Sequence, residues 1–145
     1  MKRDLSFEIV YPNRPEDVWR ALTNSDELAG WLMENDFAAR IGHKFQFRSK
    51  SRFGSERIIP CEVVEVDEPR VLSYRWGGKG SVVTFRLEPV AGGTRLCLEH
   101  RGFGGVRGLA LAWVLSHGWA HKIDQRLPAV LARMVLQETR EENAL

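Results

Sequence analysis

LALAWVLSHGWAHKIDQRLPAVLARMVLQE, residues 109–138, is the longest segment of this chain in which apolar residues recur at helical spacing. Trp119, Ile123, Leu127, Val130 and Met134 step by four, four, three and four, which at roughly 100° per residue makes one stripe. Ala112 and Ser116 extend it backwards, while His117, His121 and Asp124 fall well away from it. A helix of this length, about 40 Å at 1.5 Å per residue, spans a whole small domain. Its stripe needs a partner, and nearly everything from Lys44 to Phe103 alternates as strands do. The reading is α+β: a long helix held against a curved antiparallel sheet.

The preceding chain supplies that sheet. Leu5, Phe7, Ile9 and Tyr11 alternate with Ser6, Glu8 and Val10 as a half-buried strand, and Pro12 ends it. Pro15 stands at the first position of a short helix, followed by Glu16 and Asp17 and carrying Val18, Trp19 and Leu22. Asn24 and Glu27 have capping-box spacing for a second short helix with Leu28, Trp31 and Leu32. That helix is acidic, through Asp26, Glu27 and Glu34, which excludes a DNA-recognition role for the pair. Gly42 then opens a meander. Phe45 and Phe47 alternate in one strand, Leu72, Tyr74 and Trp76 in another, then Val83, Phe85 and Leu87, then Leu96, Leu98 and His100. Between the first two, residues 57–66 have no clear phase. Val63 and Val64 are adjacent and Pro60 interrupts, so a bulge or an edge position is expected. The count comes to about six or seven strands.

Bulk properties narrow the class. The 145 residues suit one domain, 1–145, with room for a core. A net charge of +2 is too balanced to argue for nucleic acid. The 5 Trp, 7 Phe and 2 Tyr suit either a core or a pocket for apolar ligands. Cys61 and Cys97 lie in strand-like runs and read as buried free thiols. The N-terminus lacks the apolar run of a signal peptide, and the longest apolar run, Leu109–Leu115, is too short to span a bilayer, so a cytoplasmic location is expected.

The stretch PEDVWRALTNSDELAGWLMENDFAARIGHKFQF, residues 15–47, resembles the opening of START-like (SRPBCC, helix-grip) proteins, and within them the branch named for activators of the heat-shock chaperone ATPase. CEVVEVDEPRVLSYRW (61–76), SVVTFRLEPVAGGTRLCLEHRGF (81–103) and the long helix follow in the same order. The resemblance covers nearly the whole chain and implies a helix-grip fold with a hydrophobic cavity between sheet and helix. Members bind lipids, sterols, polyketides or plant hormones, and some are cyclases or aromatases. No family-wide catalytic motif carries over. Pro128 inside the long helix and the glycine-rich GFGGVRGLALAW (102–113) depart from the pattern, and both bear on the shape of a cavity.

The candidate ligand-binding residues are Trp31, Phe45, Phe47, Tyr74, Trp76, Phe85, Leu98, His100, Trp119 and Ile123. On the alternation above, the sheet residues face the helix, Trp119 and Ile123 face back, and Trp31 closes one end. They line a cavity or they fill a core, and the resemblance favours the cavity. His100 is either an acid–base group or a satisfied core histidine. The trio His117, His121 and Asp124 has metal-ligand spacing but reads as a solvated face, with Gly118 where a zinc-protease helix needs glutamate. Gly102, Gly104, Gly105 and Gly108, with Arg107, fit no nucleotide pattern and read as a hinge or a turn. The basic group Lys44, Arg48, Lys50, Arg52 and Arg57 reads as a solvated hairpin tip. The expected function is a carrier or sensor for a hydrophobic small molecule, with no cofactor, metal, nucleic acid or membrane span. A homodimer through an exposed sheet edge is open. The alternatives are a cyclase-, aromatase- or hydrolase-type enzyme using a cavity His or Tyr, and a chaperone-modulating interaction domain.

Overall fold

The computed structural model describes residues 2–50, 54–77, 80–104 and 118–144. The strands are β1 (Lys2–Tyr11), β2 (Glu34–Asn35), β3 (Lys44–Lys50), β4 (Glu56–Asp67), β5 (Val71–Trp76), β6 (Ser81–Val90) and β7 (Gly93–Gly104). Helices α1 (Pro15–Thr23) and α2 (Ser25–Trp31) follow β1. Residues 118–121 are helical and lead through a π-helical turn, Lys122–Arg126, into α3 (Leu127–Ala144). The sheet has seven strands in the order β1-β7-β6-β5-β4-β3-β2, with every neighbouring pair antiparallel. This is the α+β helix-grip architecture: a curled sheet with short helices after its first strand and a long C-terminal helix.

Period-two alternation decides which face each strand buries. The register sets Phe45 opposite Cys61 and Cys61 opposite Trp76. One step along, Tyr74 lies opposite Val83 and Val83 opposite His100. All six side chains are buried on the concave face. In the helices, Val18, Trp19 and Leu22 of α1, Leu28 and Trp31 of α2, and the stripe Trp119, Ile123, Leu127, Val130 and Met134 are buried against it. The phase problem in β4 resolves as a bulge, because the register with β5 slips between Val63 and Glu65. Pro60 also has its reason. Its carbonyl accepts from the Gly77 N–H at 2.7 Å, so its backbone groups face the β5 side. β5 ends at Trp76, opposite Cys61, so the missing proline N–H falls where the ladder has already stopped.

Three local readings change. The C-terminal helix runs past Glu138 to Ala144, while its expected start at Leu109, with Ala112, Ser116 and His117, lies outside the described residues. Pro128 neither breaks the helix nor leaves it regular: the turn before it widens, with the Leu127 N–H bonded to the Lys122 carbonyl. The edge strand β2 carries no hydrophobic period. It is held by side-chain bonds, with Asn35 Nδ2 donating to the Ser25 and Met33 carbonyls and Ser25 Oγ donating to Asn35.

Helix ends follow the expected chemistry in part. Pro15 opens α1 with Glu16 and Asp17 in its first turn. The Asn24 side chain accepts from the Glu27 N–H at 3.1 Å and caps α2. Glu27 does not return the bond. It lies 3.8 Å from Arg133 and ties α2 to α3 instead.

Candidate ligand-binding site

The concave face of β3–β7, α2 and the helix around Trp119 enclose one aromatic cluster. Phe45 lies 5.3 Å from Phe47 and 5.2 Å from Tyr74 between ring centroids. Phe47 lies 5.3 Å from Trp76, which is 5.5 Å from Trp119. Phe85 joins Tyr74 at 5.9 Å, Trp119 at 6.2 Å and Trp31 at 6.2 Å. Most of these pairs are tilted or edge-on, the arrangement the ring quadrupole prefers. Leu98 lies opposite Phe85 on β6 and opposite Phe7 on β1, and Ile123 is buried in the π turn. The structure thus brings every candidate residue into one interior, where ring-to-ring contact occupies much of the space.

Two polar groups sit in that interior in opposite states. His100 is fully buried and engaged at both ring nitrogens. The Trp119 indole N–H donates to Nδ1 at 3.1 Å, which leaves the ring proton on Nε2 to be donated to Ser81 Oγ at 3.2 Å. Ser81 Oγ in turn donates to the Trp76 carbonyl at 2.8 Å. Burial lowers the His100 pKa to about 4, so the ring is neutral near pH 7 and a weak base. Tyr74 is the opposite case. Its hydroxyl is fully buried and has no hydrogen-bond partner among the described residues. Burial, with the nearby Cys61 thiol, holds its phenol well above the ordinary range. The Cys61 thiol is itself pushed up to about 12 by burial.

Beside this cluster Leu32, Met33, Trp76, Gly118, Trp119 and Lys122 line a small pocket of about 50 Å³. That is far below the roughly 300–1,000 Å³ of a typical small-molecule site. Larger depressions of about 390 and 510 Å³ lie elsewhere, around Lys44, Glu62 and Arg75 and around Asp26, Glu34 and Asp36. Of the aromatic cluster only Phe45 reaches either of them.

Several site members carried no sequence signal. Phe37 packs 5.0 Å from Phe45 in an irregular segment without a period. Met33 and Ser81 lie at element ends, where periodicity fails, and Leu32 is legible only as an apolar residue of the second short helix. Lys122 is polar beside an apolar stripe, and only its contacts place it. Among the other candidates, His121 and Asp124 are exposed, and the described residues contain no cluster able to hold a metal ion. Lys44, Arg48, Lys50 and Arg57 are exposed, and Arg52 lies outside the described residues. Gly102 and Gly104 belong to β7, while Gly105, Arg107 and Gly108 lie outside the described residues. Both cysteines are free, Cys61 buried and Cys97 only half-buried. No described helix is long and apolar enough to cross a membrane.

Known proteins agree with this geometry. The MLL2253 protein of Mesorhizobium loti is 33% identical, with a TM-score of 0.76 over 90% of this chain and 98% of that one. The BH1534 protein of Bacillus halodurans is 31% identical, with a TM-score of 0.75 over 89% of this chain and 96% of that one. SA2116 of Staphylococcus aureus, described as a protein of unknown function, has a TM-score of 0.82 over 94% of this chain and 97% of that one; at 16% identity it speaks for the fold alone. No curated protein matches the chain. Residues 13–132 match the family described as activator of Hsp90 ATPase homolog 1-like protein, which takes in both short helices, β2 to β7 and the buried stripe as far as Val130. The chain therefore belongs to that family, within the START-like (SRPBCC) superfamily.

Proposed function

We propose that this protein is a carrier or sensor that binds a hydrophobic small molecule between the sheet and the C-terminal helix. The ligand contacts Trp76, Trp119 and Phe85 first, and Tyr74, Phe45, Phe47, Trp31, Leu98, His100 and Ile123 form the surrounding wall. The Tyr74 hydroxyl is the observation that supports this reading. A fully buried hydroxyl with no partner costs about 1–3 kcal/mol, and a polar atom on a ligand relieves that cost. The family's cavity-forming architecture supports it as well. The pocket of about 50 Å³ is only an entry point, so a larger body requires Trp119 or Trp76 to turn aside. His100 serves here as a support that orients Trp119 rather than as a catalyst, because both its nitrogens are engaged and its ring is neutral.

The test is a thermal-shift panel of fatty acids, sterols and polycyclic aromatics, read together with tryptophan emission. At least one class raises the melting temperature and changes the emission, and Trp119→Ala weakens that compound's binding in a protein that still folds. A panel in which no compound moves the melting temperature rejects the reading.

A further inference from the structure

We propose that the ligand of this site is an amphipathic carboxylate, a fatty or aryl carboxylic acid, whose anionic end is held by Lys122 and whose apolar body lies along Trp119, Trp76, Leu32 and Met33. This rests on the hydrophobic-ligand reading above and names the chemical class it takes.

Among the described residues that line the pocket beside Trp119, Lys122 is the charged one, and the others are apolar or glycine. It opens the π turn three residues after Trp119, so the two residues stand on one side of the helix and line one pocket. The side chain is half-buried and forms no ion pair or hydrogen bond among the described residues. The nearby charge it feels is the like charge of Arg126. Burial and Arg126 both disfavour the charged form and lower its pKa. The Glu27 carboxylate on the facing helix α2 is taken by Arg133, and Asp124 on the same turn is exposed. A lysine in the wall of an apolar pocket, with no anion paired to it among the described residues, is half of a recognition pair.

Gly118 points the same way. It is helical and lines the same pocket, and an added Cβ there meets nothing within 4 Å among the described residues. Alanine is the better helix former, and among the described residues packing gives no reason for the bare backbone here. No described residue fills the place that a side chain at Gly118 would take. The arrangement is a lysine, two indoles and a bare glycine backbone around one small pocket.

Dodecanoate and dodecanol are compared at pH 7.5, below the concentration at which either aggregates, by quenching of tryptophan emission. The acid is expected to bind about tenfold tighter than the alcohol, because a charge-assisted contact at a partly dry site is worth about that factor. Lys122→Met, which keeps the apolar length, abolishes the preference, Lys122→Arg retains it, and the exposed Arg126→Gln leaves it within a factor of two or so. Gly118→Leu weakens both ligands by filling that pocket. If acid and alcohol bind equally well, or if Lys122→Met keeps the preference, the carboxylate assignment is overturned and the hydrophobic-ligand reading stands. If neither compound binds while other classes in the panel do, the assignment is overturned alone; if nothing binds, both fall.

Discussion

His100 shows how a single residue ties packing to pH. Its ring is neutral because burial disfavours the charged form, and the Trp119 N–H already donates to Nδ1, where a second proton would have to sit. In the unfolded chain its pKa returns to about 6.5. The folded value is depressed to about 4, so between these values the unfolded chain binds more protons and stability falls as pH falls. The contribution is fully present above about pH 6.5 and is lost progressively toward pH 4, to a total of roughly 3 kcal/mol at 1.36 kcal/mol per unit. The expected outcome is that urea midpoints of the wild type drop over this window more steeply than those of His100→Gln, which has no titrating ring. Parallel curves for the two proteins would remove His100 as the cause. Sequence alternation placed His100 on the inner face. It could not show whether the ring was engaged, because its partners lie 19 residues away on either side, at Ser81 and Trp119.

At the scale of elements, two junctions are tightly constrained, one between the helix layer and the sheet and one within the sheet. The first is Tyr11 at the end of β1, whose hydroxyl donates to the Ile123 carbonyl at 2.7 Å. Pro128 has no N–H to offer the carbonyls of the turn before it, and the π turn sets Ile123 five residues back, in register with the missing donor. Tyr11 supplies that donor from another element. Tyr11→Phe should therefore cost about 1–3 kcal/mol by leaving a buried carbonyl unpaired. In Pro128→Ala the restored N–H competes for the same carbonyl, so Tyr11→Phe should cost clearly less in that background. Strictly additive costs in the double-mutant cycle would mean that the two groups do not serve one carbonyl. The second junction is the close approach of β7 to β1. A Cβ on Gly93 would collide with the Tyr11 carbonyl oxygen and stand 3.0 Å from Pro12 Cα, both backbone atoms that cannot swing away. Gly93→Ala is expected to destabilise at or beyond the upper end of the roughly 1–3 kcal/mol typical of overpacking, read as a lowered melting temperature. A Gly93→Ala protein as stable as the wild type would contradict this packing. In the sequence Pro128 stands out only as a proline inside the long helix, and Gly93 carries no signal of its own. Each has a tighter constraint that comes from a strand or turn distant in the chain.

At the scale of the whole molecule, the interior between sheet and helix is both the core and the candidate site. Any ligand that enters it stabilises the fold by mass action, about 2.7 kcal/mol at one hundred times its dissociation constant. For a chain of this size that corresponds to a shift of several degrees in melting temperature, the signal on which the ligand panel relies. What the sequence by itself determined are the features written in local periods and caps. These are the alternation that aims Phe45, Phe47, Tyr74, Trp76, Phe85, Leu98 and His100 at one face, the stripe from Trp119 to Met134, Pro15 and Asn24 at their helix starts, and the irregularity of β4. Such patterns repeat over a few residues, so one strand or one turn suffices to express them. Only the tertiary structure decided that β1 lies beside β7, that ring touches ring across the interior, and that Phe37 joins the cluster. The same holds for the Tyr74 hydroxyl, which has no partner among the described residues, and for Lys122, which shares a pocket with Trp119 and Trp76. Period fixes the direction of a side chain but not the volume that opposing side chains leave between them. That volume, and the unpaired groups that border it, arise from contacts as remote as Tyr11 with Ile123, separated by 112 positions in the chain.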